Sequence, residues 1–254
     1  MINLDNKVAL ITGSSDGIGK AAAVLFSSLG AKVAIVGRDQ TKLDQVAAEC
    51  EAKSPHNYKP VVIKADFTRD EDVVRTFEET ISAYKHLDIL VNNAGLGGTK
   101  DIRDPDYIHD YDRVQQVNVR SVVRLTELSI PHLVKSKGLI VNVSSVVAVK
   151  PSEKFWYYSM SKAALDMFTK TMALKLAPHV RVNSVNPGPV RTRFLSPLVP
   201  DTNTVYEDMD KRQPLGRVGD PNEIANVIAF LSSEASSNMT GSIVFSDSGY
   251  LLAE

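Results

Sequence analysis

Directly after the first apolar run, 8–11, stand Thr12-Gly13-Ser14-Ser15-Asp16-Gly17-Ile18-Gly19, and an amphipathic helical pattern opens at Ile18. Few folds can use that order. Gly13 permits a tight turn out of a strand, and Gly17 and Gly19 let backbone and helix approach a bulky anion closely. The helix start offers free N–H groups and the positive end of its dipole. Strand, glycine turn and helix together point to a parallel α/β sheet that cradles a dinucleotide's pyrophosphate.

The rest of the chain keeps that rhythm. Short runs rich in Val, Ile and Leu at 8–11, 32–36, 61–63, 89–91, 139–143, 181–185 and 242–245 read as strands covered on both faces. Helical patterns at 18–29, 40–52, 71–84, 106–128, 157–177 and 221–231 alternate with them. This alternation predicts one doubly wound, seven-stranded parallel sheet with helices on both faces, in a single α/β domain spanning 1–254. Thr68-Arg69-Asp70-Glu71 reads as a capping box, and Asp220-Pro221-Asn222-Glu223 as a cap, a first-turn proline and a reaching carboxylate. Residues 189–219 lack clean periodicity and read as a substrate loop or lid.

Composition removes other classes. Of 254 residues, 43% are hydrophobic, too many for a disordered chain. With 29 basic against 30 acidic side chains there is no global pull towards nucleic acid or an anionic membrane. Cys50 is the only cysteine, so no intrachain disulfide is possible, and with five His no Cys-rich zinc site or other metal ligand set is expected. No apolar run reaches the length of about eighteen residues that a membrane span needs. The polar residues 1–6 give no basic leader, and the tail Leu251-Leu252-Ala253-Glu254 carries no sorting signal. A cytoplasmic protein is the expectation.

The Gly-x-x-x-Gly-x-Gly spacing resembles that of the short-chain dehydrogenase/reductases, and further motifs follow in that family's order. They are Asn92-Asn93-Ala94-Gly95 after the fourth strand, Asn118 in the next helix, Ser144-Ser145 at the fifth strand's end, Tyr158-Ser159-Met160-Ser161-Lys162, and Asn186-Pro187-Gly188-Pro189-Val190-Arg191-Thr192. The resemblance implies the Rossmann fold, a nicotinamide cofactor and a catalytic set of Asn118, Ser145, Tyr158 and Lys162. Only Tyr158, not Tyr157, has a lysine four residues on, on the same helix face. In such proteins the tyrosine is the general acid or base. The lysine lowers its pKa together with an oxidised nicotinamide and holds the ribose, the serine orients the carbonyl, and the asparagine holds a relay water. Gly13, Ser14, Ser15, Gly17, Ile18 and Gly19 would then take the cofactor's phosphates, with hydroxyl contacts from the two serines. Asp66 would take the adenine, and Asn93, Ala94 and Gly95 would line the cofactor by their backbones. Tyr158, Lys162, Pro187, Gly188, Val190 and Thr192 would surround the nicotinamide end.

The second strand ends at Gly37-Arg38, with no acid to receive a ribose 2′-hydroxyl, and a guanidinium suits a 2′-phosphate. NADP(H) is therefore expected over NAD(H), with Asp39 capping the next helix. Val147, Val149, Phe155, Trp156, Phe194, Leu195, Leu198, Val199, Tyr206 and Met209 suggest an apolar substrate pocket. The leading expectation is an NADPH-dependent reductase of lipophilic ketones or aldehydes, laid out like carbonyl and 3-oxoacyl reductases. The alternatives are an NAD-dependent alcohol or hydroxysteroid dehydrogenase acting oxidatively and a non-catalytic dinucleotide sensor. The substrate would be a small molecule. The resemblance also implies a homo-oligomer, a tetramer or dimer.

Overall fold

The computed structural model describes residues 2–253. In chain order the elements begin β1 (Val8–Ile11), α1 (Gly17–Ser28), β2 (Lys32–Gly37), α2 (Gln40–Lys53), β3 (Val61–Lys64), α3 (Asp70–Tyr84) and β4 (Ile89–Asn92). They continue with α4 (Tyr107–Gln115), a π-helical turn (Gln116–Arg120), α5 (Ser121–Ser136), β5 (Leu139–Val143), α6 (Trp156–Leu176) and β6 (Arg181–Pro187). The last are α7 (Thr202–Lys211), α8 (Pro221–Leu231) and β7 (Ile243–Ser246).

The seven strands form one parallel sheet in the order β3-β2-β1-β4-β5-β6-β7. Strand order reverses between β1 and β4, and at such a switch point the strand ends diverge to leave a crevice. The glycine turn leaves β1 on one side of it, and Asn92-Asn93-Ala94-Gly95 leaves β4 on the other.

Alternation along β1 shows why both faces are apolar. Ala9 and Ile11 enter a core with Phe26 of α1 and Ile228 of α8. Val8 and Leu10 enter the opposite core with Val73 of α3, Leu125 of α5 and Ala173 of α6. The central strand is fully buried, as a parallel strand between two helical layers must be.

Four local expectations need correction. No capping box forms at Thr68: its N–H and hydroxyl both bond to Asp66 Oδ1 at 3.0 Å, leaving Arg69 at the cap position without a side-chain cap bond. The tight turn at Asp66 outcompetes the helix for that hydroxyl. The pattern read as one helix over 106–128 is two, joined by the π turn at Asn118, and α5 runs through Pro131 to Ser136. Leu133, fully buried beyond the proline, holds that last turn in place. The stretch 189–219 is not irregular throughout, because it contains α7, capped by Asp201. Its apolar Val205, Tyr206 and Met209 are too few to give a clear period.

The capping box at Asp220 is present, with Asp220 accepting from Asn222 N at 2.8 Å and Glu223 reaching back to Asp220 N at 2.8 Å. Asp220→Ala is expected to cost about 1 kcal/mol. That lowers the melting temperature by about 2–4 °C in a chain of this size. Thr68→Ala should lower it by less than half as much in the same thermal melt.

Candidate active site

The glycine turn is held from both sides. Gly13 has φ 67° and Gly17 φ 54°, values a side chain rarely tolerates. Asn93 Nδ2 donates to the carbonyls of Thr12 at 2.8 Å and Gly13 at 3.1 Å, while Thr12 Oγ1 accepts from Asn93 N at 3.0 Å and Ala94 N at 2.9 Å. Ser14 differs from the expectation. It is fully buried, its hydroxyl donates its one proton to Ile11 O at 2.8 Å and accepts from Val36 N at 2.7 Å, and it does not line the cavity. Gly19 does not line the cavity either. Its backbone presses against the turn so closely that a Cβ would lie 2.3 Å from the Gly13 carbonyl oxygen.

A cavity of about 450 Å³ opens over the switch point, lined by Gly13, Ser15, Asp16, Gly17 and Ile18 on the turn. Arg38 and Asp66 line it at the ends of β2 and β3, and Asn93, Ala94 and Gly95 after β4. Pro187, Gly188, Val190 and Thr192 close its far wall. Arg38 is exposed and makes no ion pair among the described residues, whereas Asp39 is taken up as the cap of α2, accepting from Lys42 N at 3.2 Å. Asp66 spends Oδ1 on Thr68. Asp16 lines the cavity unforeseen. It caps α1 through Gly17 N at 2.8 Å and pairs with Lys42 at 3.0 Å and Arg193 at 3.5 Å. Those cations and the Gly17 N–H outweigh the effect of its burial and hold the carboxyl below its ordinary range.

The reacting candidates converge at the cavity's centre. Ser145 caps a short 3₁₀ turn after β5 and faces the cavity, while the Ser144 hydroxyl donates to the Lys162 carbonyl at 3.1 Å. Tyr158 and Lys162 lie one turn apart on α6, with Lys162 Nζ 5.6 Å from the phenol ring centroid and donating to Val143 O at 2.8 Å. Burial pushes the Tyr158 phenol up to about 12, with Ser145 working against it, and burial lowers the Lys162 ammonium to about 8. A lowered phenol is the expectation for the lysine together with an oxidised nicotinamide; in the protein alone desolvation dominates and raises it. Tyr157 turns away, its phenol donating to Asp110 and accepting from Lys100 N at 3.2 Å. Asn118 is buried with both ends of its amide engaged: Oδ1 accepts from Leu96 N at 2.8 Å, and Nδ2 donates to Leu96 O and Ser161 Oγ, each at 2.9 Å.

Of the residues expected around a substrate, Val147, Phe155, Phe194, Leu195, Tyr206 and Met209 line the cavity. Trp156 is not part of it. Its indole donates to Lys100 O at 3.1 Å and packs on Tyr107 and Tyr111. Val149 is solvent-exposed, and Leu198 and Val199 pack beneath the loop with Leu195 and Tyr206. Leu96, Val117 and Tyr250 line the cavity without a sequence signal, brought there from three separate parts of the chain. Phe194 reaches across the cavity to Gly97, where a Cβ would lie 2.8 Å from its Cζ.

Residues 13–251 match the family model described as enoyl-(acyl carrier protein) reductase. The 3-oxoacyl-[acyl-carrier-protein] reductase FabG of Thermotoga maritima is 37% identical over 256 residues, covering 99% of this chain and 100% of that one. A crystal structure of a short-chain dehydrogenase/reductase of unknown function from Caenorhabditis elegans, with cofactor, superimposes with TM-score 0.92 at 35% identity, covering 99% of this chain and 97% of the other. L-Sorbose reductase from Gluconobacter frateurii, complexed with NADPH and L-sorbose, gives TM-score 0.90 at 31% identity and 98% coverage of both chains. Fold and relatives together define an oxidoreductase built on a dinucleotide-binding sheet. The chain belongs to the short-chain dehydrogenase/reductase family.

Gly19→Ala drives a methyl group into the Gly13 carbonyl, so the turn must open. The expected result is a melting temperature several degrees below wild type, together with loss of any dinucleotide-induced rise. Both are read in one thermal melt.

Proposed function

We propose that this oxidoreductase is an NADPH-dependent reductase of neutral, lipophilic ketones or aldehydes, with Tyr158 as the proton donor. The arrangement that carries this reading is the Tyr158 phenol, its pKa raised by desolvation, facing a cavity beside Ser145 and Lys162 that reaches Arg38. The glycine turn fits a pyrophosphate. Gly13 and Gly17 both hold positive φ, which disfavours a side chain, a Cβ at Gly13 would lie 2.8 Å from Ala94 Cα, and α1 starts at the cavity wall. Unpaired Arg38 would meet a 2′-phosphate, and Asp39, already engaged in a cap, is poorly placed to receive a 2′-hydroxyl. The sorbose reductase, whose structure is complexed with NADPH, points the same way.

When bound, a reduced nicotinamide supplies the hydride. Ser145 orients the carbonyl oxygen, and Tyr158 gives its proton to that oxygen as negative charge develops on it. Lys162 stabilises the phenolate left behind and holds the ribose. A phenol protonated throughout the neutral range suits an acid in the reductive direction. Around the substrate, Leu96, Val147, Phe155, Phe194, Leu195 and Met209 carry no formal charge, and the neighbouring Arg193 is paired with Asp16 at 3.5 Å, which supports a neutral carbonyl over a keto acid. The Thermotoga relative, named for reduction of a 3-oxoacyl group, supports a ketone substrate. Exposed Met160, Met167 and Leu174 on α6 support a homo-oligomer, and a lone buried Cys50 suits the cytoplasm.

A panel of carbonyls with NADPH tests the reading. Neutral aryl and long-chain ketones should be consumed with kcat/KM at least about tenfold above that of keto acids, and the reverse order would refute it. Tyr158→Phe should lower kcat about 100-fold or more, while Tyr157→Phe lowers thermal stability and spares turnover. Turnover should fall as pH rises through about 8, where the Lys162 ammonium loses its proton. Arg38→Asp should weaken NADPH and improve NADH, and an unchanged preference would remove Arg38 from this role.

A further inference from the structure

One buried carboxylate close to the reacting groups has no part in the scheme above. Asp166 lies on α6 one turn beyond Lys162, only 7% exposed. Its Oδ2 accepts from Asn186 Nδ2 at 2.8 Å, and its buried Oδ1 has no partner among the described residues. The same Asn186 Nδ2 donates to the Ser145 main-chain carbonyl at 3.1 Å, and Asn186 Oδ1 accepts from Ser184 Oγ at 2.7 Å. A chain of two hydrogen bonds therefore runs from Asp166 to the backbone of the serine that faces the cavity. Burying a carboxylate with one oxygen unsatisfied is costly unless a nearby cation compensates.

We propose that Asp166 is a positioning residue: its carboxylate supplies the counter-charge for the Lys162 ammonium and, through Asn186, fixes the backbone of Ser145. The two halves of the reacting set, one on α6 and one at the end of β5, are thereby tied to a single buried group. This rests on the catalytic reading above for what Lys162 and Ser145 do, but not for the coupling between Asp166 and Lys162.

The charges around it are few. Lys162 and Lys170, both on α6, are the charged groups that act on Asp166 among the described residues. From the end of β5 and from β6 come the uncharged Ser144 and Asn186, which favour the ionised carboxylate, Asn186 through its hydrogen bond to Oδ2. Burial pushes the Asp166 carboxyl up, against those four groups, and the carboxylate in turn raises the Lys162 ammonium that burial lowers. Neither charge is comfortable alone at this depth, and each favours the other.

Asp166→Asn separates this role from a packing role. The amide has nearly the carboxylate's shape and still offers Oδ1 to Asn186, but it carries no charge. The titration of Lys162 Nζ is followed by nitrogen NMR on the protein alone, in wild type and in the variant, and the alkaline limb of NADPH-linked turnover is measured beside it. The expected result is a fall of about one unit in the Lys162 midpoint, the same displacement of the limb, and an unchanged KM for the carbonyl. Asp166→Leu should add a further loss of kcat as Ser145 loosens, and the asparagine variant decides the matter if the leucine variant does not fold. A Lys162 midpoint unmoved in Asp166→Asn would overturn the proposal whatever the enzyme turns over. Absence of carbonyl turnover in wild type, with a shifted midpoint, would instead overturn the catalytic reading and leave the coupling standing.

Discussion

The side-chain amide of Asn93 binds the carbonyls of Thr12 and Gly13 and so ties the end of β4 to the turn leaving β1. These are the two strands between which the sheet reverses its order, and their ends would otherwise diverge. The bond fixes the width of the crevice and the path of the glycine turn together. Gly19 then lets α1 press against the same turn, and Thr192 brings the start of the 189–219 segment close to Gly17. Everything that faces the cavity is placed relative to that junction.

The groups proposed to react are organised by burial as much as by contact. Tyr158 and Lys162 are shifted in opposite directions, the phenol up and the ammonium down, because desolvation penalises the charged form of each. Both shifts favour a neutral tyrosine as the resting state. A carbonyl needs that form of the residue if it is to leave as an alcohol. The aromatic rings of Phe155 and Phe194, with centroids 6.3 Å and 5.4 Å from that of Tyr158, help keep water from the phenol.

Much of this was legible in the chain because parallel strands buried on both faces read as short continuous apolar runs, and because a glycine turn tolerates little else. The strands lay within two residues of their expected ends, and Asp39 and Asp220 cap the helices they were expected to cap. What the sequence did not reveal depends on partners far along the chain. Ser14 is consumed by Val36, on the neighbouring strand. Trp156 is turned from the cavity by Lys100. Tyr250 reaches the cavity from the last residues of the fold. Where two local motifs compete for one group, as Asp66 and the start of α3 do for Thr68, spacing alone does not say which wins.

The central claim is that the crevice at the β1–β4 junction is a dinucleotide site with a preference for the 2′-phosphate. Melting the protein alone, with NADPH and with NADH at equal concentration, tests it most directly. A ligand that binds only the folded state raises the melting temperature by an amount that grows with the logarithm of its concentration over its dissociation constant. The account predicts a rise with both and a larger one with NADPH. A larger rise with NADH would contradict the role given to Arg38, and no rise with either would contradict the site itself.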